Sequence, residues 1–241
     1  GEFEVYNLEC SPHNNFFANK FLVHNCVINF IGRSSSETHV VPSQFNTMKF
    51  WSPEHMLGIV DELVQRGVST LRLSDEMFFL NKRYYEPFLQ GIIDRRYDLH
   101  LWSYSRVDTV REKYLELFRK AGMDWLCLGL EAGNREVRRE VTKGKFEDID
   151  IKQVVKECEN AGIEVVSNFI VGLPEDTMET MQETMNLALE LNTAHMNVYS
   201  AISIPGTSLF YEAKDRGWVP PEDYRDYAFL SYETNPSPTK Y

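Results

Sequence analysis

One pattern recurs four times along this chain and constrains its fold more than any other feature. An amphipathic stretch ends at a glycine and an apolar run follows at once, with the glycines at Gly67, Gly122, Gly162 and Gly217. Glycine just past a helix takes the left-handed conformation that satisfies the last helical carbonyl groups. The pattern therefore predicts helices that end at these glycines and lead into strands.

The segments between the glycines fill in this alternation. Ser52 is the predicted N-cap and Pro53 the first residue of the helix that ends before Gly67. The runs TLRLS, LHLWSYS, WLCLGLE, VVSNFIV and MNVYSAI are short and apolar, as is typical of parallel strands covered on both faces. Similar apolar stripes predict four more helices, over 84–96, 111–121, 149–161 and 176–191.

With the opening EVYNLE as a first strand, the chain has six strands, each followed by a helix. Repeated right-handed βα units curl a parallel sheet toward a barrel, so we predict an α/β fold with one partial (β/α)6 barrel over residues 1–218. A doubly wound open sheet is the alternative. The long loop 10–50 is expected to be functional. Residues 219–241 form a tail that packs on the barrel or leads into a missing segment.

Composition excludes several classes of protein. The net charge is −11 over 241 residues, and no basic run could follow a phosphate backbone, so we expect no nucleic-acid partner. No apolar run approaches the length of a membrane helix, and the first residues do not resemble a signal peptide. We therefore expect a soluble cytoplasmic protein. Cys127 alternates with apolar neighbours in a predicted strand, and Cys158 lies on a predicted helix that carries Glu157 and Glu159. Both are expected to be buried or half-buried thiols.

Polar residues gather where the predicted strands end. In a parallel barrel these carboxyl ends surround one opening, here called the mouth, where ligands bind. A buried carboxylate such as Glu131 needs a cationic or donating partner, which a bound ligand would supply. The alternative is that Arg106 and Glu131 only pair with each other. The mouth residues are Ser74, Asp75, Glu76, Ser103, Ser105, Arg106, Asp108, Glu131, Ser167, Asn168, Asn197, Ser200 and Ser203.

Two further features have structural explanations. GLPEDT ends a strand at Gly172, and Asp176 is the predicted N-cap of the next helix, with Glu179 completing a capping box. Backbone amides of this turn are also candidates to contact an adenine or a phosphate. His100 and His195 begin strands, so we place them at the end opposite the mouth.

The order of segments resembles the catalytic core of radical S-adenosylmethionine (SAM) enzymes, particularly the branch associated with cobalamin-binding domains. The resemblance implies that Ser74, Asp75 and Glu76 hold the amino group of SAM, and that Arg106 and Glu131 lie near its ribose and carboxylate. Ser105 joins these cofactor-binding candidates, and Asn168, Gly172, Leu173, Ser200 and Ile202 would border the adenine. The matching segments are FWSPEHMLGIVDEL, LRLSDEMFFLNKRYYE, SYSRVDTV, LCLGLEAGNREVRREVTKGK, NFIVGLPEDTMETMQETM and SIPGTSLFYEAKDRGW.

The chain departs from that family in the iron-binding loop. Such enzymes carry CxxxCxxC after the first strand, and its three thiolates hold a [4Fe-4S] cluster. Cys26 stands at the last position of the motif, but Val23 and Asn19 replace the other two cysteines. Cys10 is the other loop cysteine, sixteen positions before Cys26.

Three interpretations of this loop remain open. Cys10 and Cys26 with a third ligand, His13 or His24, could hold a modified [4Fe-4S] cluster. The same four residues, Cys10, His13, His24 and Cys26, could instead hold a tetrahedral zinc ion. In the third interpretation the loop has lost its cluster.

The family resemblance implies a reaction. An electron from the cluster would cleave SAM, and the resulting 5′-deoxyadenosyl radical would take a hydrogen atom from a small-molecule substrate below the mouth. The alternative is a cluster-deficient, SAM-binding pseudoenzyme that serves as a nonredox binding module. No cobalamin-binding segment is present in these residues, so cobalamin chemistry would need a separate or removed domain.

Overall fold

A computed structural model describes residues 51–75, 78–142, 148–203 and 208–217 of the chain. Strands and helices alternate from the first helix onward, except that two helices lie between the third and fourth strands. The elements are α1 (Pro53–Gln65), β1 (Thr70–Leu73), α2 (Lys82–Arg95), β2 (His100–Arg106), α3 (Glu112–Lys120), β3 (Met123–Glu131), α4 (Arg135–Thr142), α5 (Ile151–Asn160), β4 (Glu164–Val171), α6 (Met178–Leu191), β5 (His195–Ser200) and α7 (Ser208–Asp215).

The five strands form one parallel sheet whose spatial order is their order along the chain. A doubly wound sheet reverses its strand order near the middle, and this sheet does not, which favours the predicted barrel architecture. The strand predicted at the start of the chain and the loop 10–50 lie outside the described residues. His100 and His195 begin β2 and β5, so their prediction at the end opposite the mouth is confirmed.

The two faces of the sheet differ in their neighbours. One face, here called the outer face, packs against the helices and forms the main apolar core; Leu101, Leu126, Leu128 and Val165 from the strands lie there beside Phe118 of α3. The other face, here called the inner face, carries the residues that alternate with these along each strand. It is the concave interior of a curled parallel sheet, and it continues upward into the mouth.

The predicted helix ends are correct to within two residues. Ser52 caps α1 by accepting from the His55 amide, and Gly67, Gly122, Gly162 and Gly217 all have positive φ angles. Glycine is required at position 122 for two reasons: its φ angle is positive, and a Cβ there would lie 2.0 Å from the Leu99 carbonyl oxygen. The helix-cap pattern was therefore a sound guide to the fold.

Two local predictions were wrong or incomplete. The N-cap of α6 is Thr177, whose side chain accepts from the Thr180 amide, so the predicted Asp176–Glu179 capping box is replaced by a Thr177–Thr180 box. Helix α4 follows β3 directly and was not predicted, because its sequence REVRREVT is almost entirely polar. Among the described residues, none of the helices combines the length and the apolar character needed to cross a membrane.

Candidate functional site

The most unusual backbone position of the sheet is the end of β3. Glu131 has φ 66°, a left-handed conformation that residues other than glycine rarely adopt, and the register with β4 slips by one residue between Gly129 and Glu131. Glu131 is nevertheless only 4% exposed. Strained backbone of this kind persists where surrounding contacts fix it, and it concentrates at binding sites.

The buried Glu131 carboxyl group forms no hydrogen bond or ion pair with another residue in the part of the chain that the structure describes. Burial raises the pKa of Glu131 to about 8, and the positive charge of Arg106 partly opposes that rise. Arg106, at the end of neighbouring β2, already donates from its guanidinium to the Asp108 carboxylate. The structure therefore does not pair Arg106 with Glu131 as a closed ion pair, and a carboxyl group at the mouth can accept donors from a ligand.

The loop that carries Glu131 is clamped by residues that the sequence analysis missed. The Gly133 amide donates to the buried Thr184 hydroxyl of α6 over 2.9 Å. The buried Arg138 of α4 donates from Nη1 to the carbonyl oxygens of Ala132 and Gly133. A Cβ at Gly133 would lie 2.7 Å from backbone atoms of α6, so the helix and loop touch directly. A threonine in mid-helix was the available signal for this contact.

Several predicted mouth residues turn away from it. Ser105 is 2% exposed, lies on the outer face and shares a hydrogen bond with Thr109. Ser103 is also buried on that face, and the Ser167 hydroxyl pairs with that of Thr193. These residues were predicted at the mouth from their position along the chain. That position does not give the face of the sheet, because successive side chains of a strand point to opposite faces.

Asn168 and Asn197 lie on the inner face, as neighbours in the register of β4 and β5. The Asn168 amide donates to the Leu128 and Val166 carbonyl oxygens, and its side-chain oxygen accepts from Asn197. Asn168 therefore ties three strands together below the mouth. Its hydrogen-bonding capacity is largely used by the sheet itself.

The turn after β4 presents an apolar surface at the mouth. Leu173 uses both of its backbone groups within the turn, since its amide donates to the Asp176 carboxylate and its carbonyl accepts from the Asp176 amide. The backbone amide and carbonyl of Leu173 are thus both engaged within the turn. Ser200 ends β5, opposite Val171. The Ser200 residue is exposed. Ala132, Val137, Ile170, Leu173 and Ala201 form a buried apolar cluster, and Ile202 is buried next to Ala201 in the chain.

The remaining predicted residues are placed more simply. Ser74 and Asp75 directly follow β1 and are exposed at the mouth end of that strand, while Gly172 is buried in the turn after β4. Glu76 and the candidate metal ligands Cys10, His13, His24 and Cys26 lie outside the described residues. Within the part that is described, no group of three or more His, Cys, Asp or Glu side chains could hold a metal ion. Cys127 and Cys158 are buried, as predicted.

Comparison with known proteins defines the class to which this barrel belongs. The chain aligns with the anaerobic magnesium-protoporphyrin IX monomethyl ester cyclase of Cereibacter sphaeroides at 29% identity, covering 76% of this chain and 31% of that protein. It aligns with the tryptophan 2-C-methyltransferase of Streptomyces laurentii at 27% identity, covering 56% of this chain and 25% of that protein. The chain thus spans about a third or less of the length of these relatives.

A solved structure supports the fold. The radical SAM methyltransferase TsrM from Kitasatospora setae, with cobalamin and a [4Fe-4S] cluster bound, superimposes with a TM-score of 0.62 at 20% identity, covering 68% of this chain and 34% of that one. This likeness defines a partial barrel of the radical SAM type. The sequence pattern of the Radical SAM superfamily matches residues 26–188, and the chain belongs to that superfamily.

Membership in the superfamily brings two cofactors, SAM and a [4Fe-4S] cluster. The described residues fit the first. A buried carboxyl group with a raised pKa, an arginine beside it and an adjoining apolar cluster match the hydroxyl groups, carboxylate and adenine of an adenosyl amino acid. The loop 10–50, which contains the candidate cluster ligands, lies outside the described residues.

Proposed function

We propose that this chain is the SAM-binding core of a radical SAM enzyme that acts on a small-molecule substrate. The observation that carries the proposal is Glu131, a buried carboxyl group held in a strained conformation at the mouth of a parallel barrel. Such a group is destabilising unless a ligand completes its hydrogen bonds. A nonredox binding module would use the same pocket, but family membership does not favour that alternative.

We assign roles at the mouth from chemistry and position. Ser74 and Asp75, with Glu76 beyond them, would hold the amino group of SAM from the end of β1. Arg106 would attract its carboxylate, and Glu131 would accept from its ribose hydroxyl groups. The cluster around Ile170 and Leu173, with Ser200 and Ile202 at its border, would pack against the adenine. Ser105 has no part in this assignment, because its hydroxyl already pairs with Thr109 on the outer face.

Glu131 would change its protonation when SAM binds. Burial holds the proton on its carboxyl oxygen near neutral pH in the ligand-free chain. Hydroxyl donors from the ligand favour the carboxylate, so the proton leaves as the donors arrive. Thr184 and Arg138 keep the loop, and with it Glu131, in the orientation that receives those donors.

For the cluster we propose Cys10 and Cys26 with His13 or His24 as a third ligand. Zinc bound by these four residues is the competing proposal. When bound, the cluster and SAM supply one-electron cleavage of the sulfonium carbon–sulfur bond. The apolar residues at the mouth would exclude water from that reaction, and the curled sheet would hold the substrate against the reacting carbon.

The limits of the unit and its surroundings are also proposals. We assign residues 1–218 to the barrel, with its first strand before Cys10, and 219–241 to a tail. A cytoplasmic location is supported by the reducing conditions that free thiolates require. A separate or removed cobalamin-binding domain is supported by the fold likeness to TsrM, whose structure contains cobalamin. We propose no nucleic-acid or membrane partner.

Anaerobic reconstitution tests the proposal. The wild-type chain should take up iron and sulfide and, with dithionite and SAM, release 5′-deoxyadenosine. The variant Cys26→Ala should lose both properties. The matched control is Cys158→Ala, which removes a buried thiol whose pKa burial raises to about 12, and it should keep both. Zinc uptake without iron, or equal turnover by Cys26→Ala, would contradict the proposal.

A further inference from the structure

An arginine lies on the inner face of the sheet, below the mouth. Arg72 of β1 pairs in register with Trp102 of β2, so the two share that face. Arg106 lies four residues further along β2, which at about 3.3 Å per residue is about 13 Å nearer the mouth. Ser74 and Asp75, which we assign to the amino group of SAM, follow Arg72 by two and three residues at the end of β1. Arg72 thus lies below the residues assigned to SAM and faces the interior of the barrel.

Aromatic rings hold the Arg72 guanidinium in place. Its central carbon lies 5.1 Å from the Trp102 ring centre and 4.9 Å from the Tyr104 ring centre, and Nη2 donates to the Tyr104 hydroxyl. The Trp102 ring is itself fixed, since its Nε1 donates to the Cys127 sulfur over 2.6 Å. Stacking on ring faces leaves the edge of a guanidinium available for further hydrogen bonds.

Arg72 has no counter-charge in the described part of the chain. Its hydrogen bond goes to the Tyr104 hydroxyl, and burial raises the pKa of Tyr104 to about 12, so that partner is neutral. The other arginine on the inner face, Arg106, pairs with Asp108. Among the described residues, Arg72 therefore lacks the carboxylate partner that Arg106 has on the same face.

We infer that Arg72, stacked on Trp102 and Tyr104, is the anchor for an oxyanion group, a carboxylate or a phosphate, on the substrate of this barrel. The planar fork of a guanidinium matches both groups through two parallel hydrogen bonds. Tyr199 is a third aromatic residue here, close enough to interact electrostatically with Arg72. These aromatic side chains favour a substrate in which a flat or apolar group is attached to the anion. The inference rests on the proposed function, because it names the substrate class of the same barrel.

Three matched probes test the inference on the full chain: 1-naphthoate, 1-naphthyl phosphate and uncharged 1-naphthamide, each titrated by calorimetry. At least one oxyanion probe should bind about tenfold more tightly than the amide, and the tighter of the two identifies the preferred anion. Arg72→Gln should weaken that binding about tenfold. Arg72→Lys keeps the charge but loses the fork, and should give an intermediate affinity.

The control is Arg83→Gln, which removes an exposed arginine from the first turn of α2 and should leave all probe affinities unchanged. Circular dichroism verifies that each variant is folded. Equal binding by Arg72→Gln, or no binding of either oxyanion by the wild type, overturns the inference. A titration of SAM against Arg72→Gln distinguishes the inference about Arg72 from the proposed function. If Arg72→Gln loses probe binding and keeps the SAM affinity of the wild type, both are supported. If probe binding depends on Arg72 but the chain does not bind SAM, only the anion site is supported.

Discussion

The two ends of strand β3 carry acidic residues in opposite circumstances. At the amino end, the Asp124 carboxylate is partly exposed and forms hydrogen bonds with the His100 ring and with Arg119 Nη1, the latter over 2.8 Å. At the carboxyl end, Glu131 is buried and has a left-handed backbone, and among the described residues Arg106, which is bonded to Asp108, is the one whose charge opposes the rise in its pKa. The protein supplies partners for the Asp124 carboxylate, whereas for the Glu131 carboxyl group we propose that a ligand supplies them.

The difference indicates that the amino end of β3 serves the stability of the fold and that its carboxyl end is arranged for the binding that we propose. The ion pairs at the amino end contribute little to the unfolding free energy, because water screens them. Clamping a buried carboxyl group at the mouth requires neighbours that hold it there, which α4 and α6 supply through Arg138 and Thr184. Variants at the two ends should therefore differ in stability, in pH dependence and in ligand affinity.

The largest effect is expected at the clamp itself. Gly133→Ala places a Cβ 2.7 Å from the Glu183 carbonyl oxygen and Thr184 Cα, so we expect a loss of about 3 kcal/mol in unfolding free energy. Gly58→Ala is the matched control: no atom lies within 4 Å of the added Cβ, and alanine in mid-helix should raise stability by up to about 1 kcal/mol. Urea denaturation measures both. Equal effects of the two substitutions would show that the clamp is not tight.

The pH dependence of stability should distinguish the two carboxylates next. The pKa of Glu131 is about 8 in the folded chain and near 4.5 when unfolded, so between these values the folded state holds a proton that the unfolded state releases. Stability contributed by this group therefore falls as the pH rises from 5 to 8. The unfolding free energy of Glu131→Gln, relative to that of the wild type, should therefore rise by on the order of 3 kcal/mol from pH 5 to pH 8. A difference that does not change with pH would contradict the burial of Glu131.

A smaller effect is expected from the hydroxyl that supports the loop. Thr184→Val removes the acceptor of the half-buried Gly133 amide and should cost about 1 to 2 kcal/mol in unfolding free energy. Thr184→Ser keeps the hydroxyl, so it should restore most of the loss and also the SAM affinity. If the serine variant binds SAM no better than the valine variant, the hydroxyl does not position Glu131.

The smallest effect belongs to the amino end. Asp124→Asn weakens two exposed ion pairs and should change the unfolding free energy by less than about 1 kcal/mol. Added salt should reduce even that difference, since it screens such pairs. A loss comparable to that of Gly133→Ala would remove the contrast between the two ends.

Much of the fold was predictable because helix termini leave local signals. Ser52, Pro53 and the glycines after the helices mark boundaries through backbone chemistry that depends on a few neighbouring residues. Helix α4 also has a local signal, since the Asn134 side chain accepts from the Glu136 and Val137 amides, but its apolar residues are only Val137 and Val141. The cap was therefore present in the sequence, whereas the apolar stripe by which the other helices were predicted is too short in α4.

The site was predictable only in part, because position along a strand does not give the face. Arg106 and Glu131 were correctly expected near each other, but Ser105 lies one residue from Arg106 and points to the opposite side. Strands buried on both faces lack the polar alternation that would reveal this. The register slip before Glu131 and the contact of Gly133 with α6 depend on distant residues and leave no local trace.

The most direct test of this account is the affinity of SAM for two variants of the same strand. Glu131→Ala and Asp124→Ala each remove one acidic residue from one end of β3, and both are titrated by calorimetry in the anaerobically reconstituted chain. The account predicts that Glu131→Ala weakens SAM binding about tenfold or more, while Asp124→Ala binds SAM as the wild type does. Equal affinities for the two variants would contradict the assignment of the mouth as the SAM site.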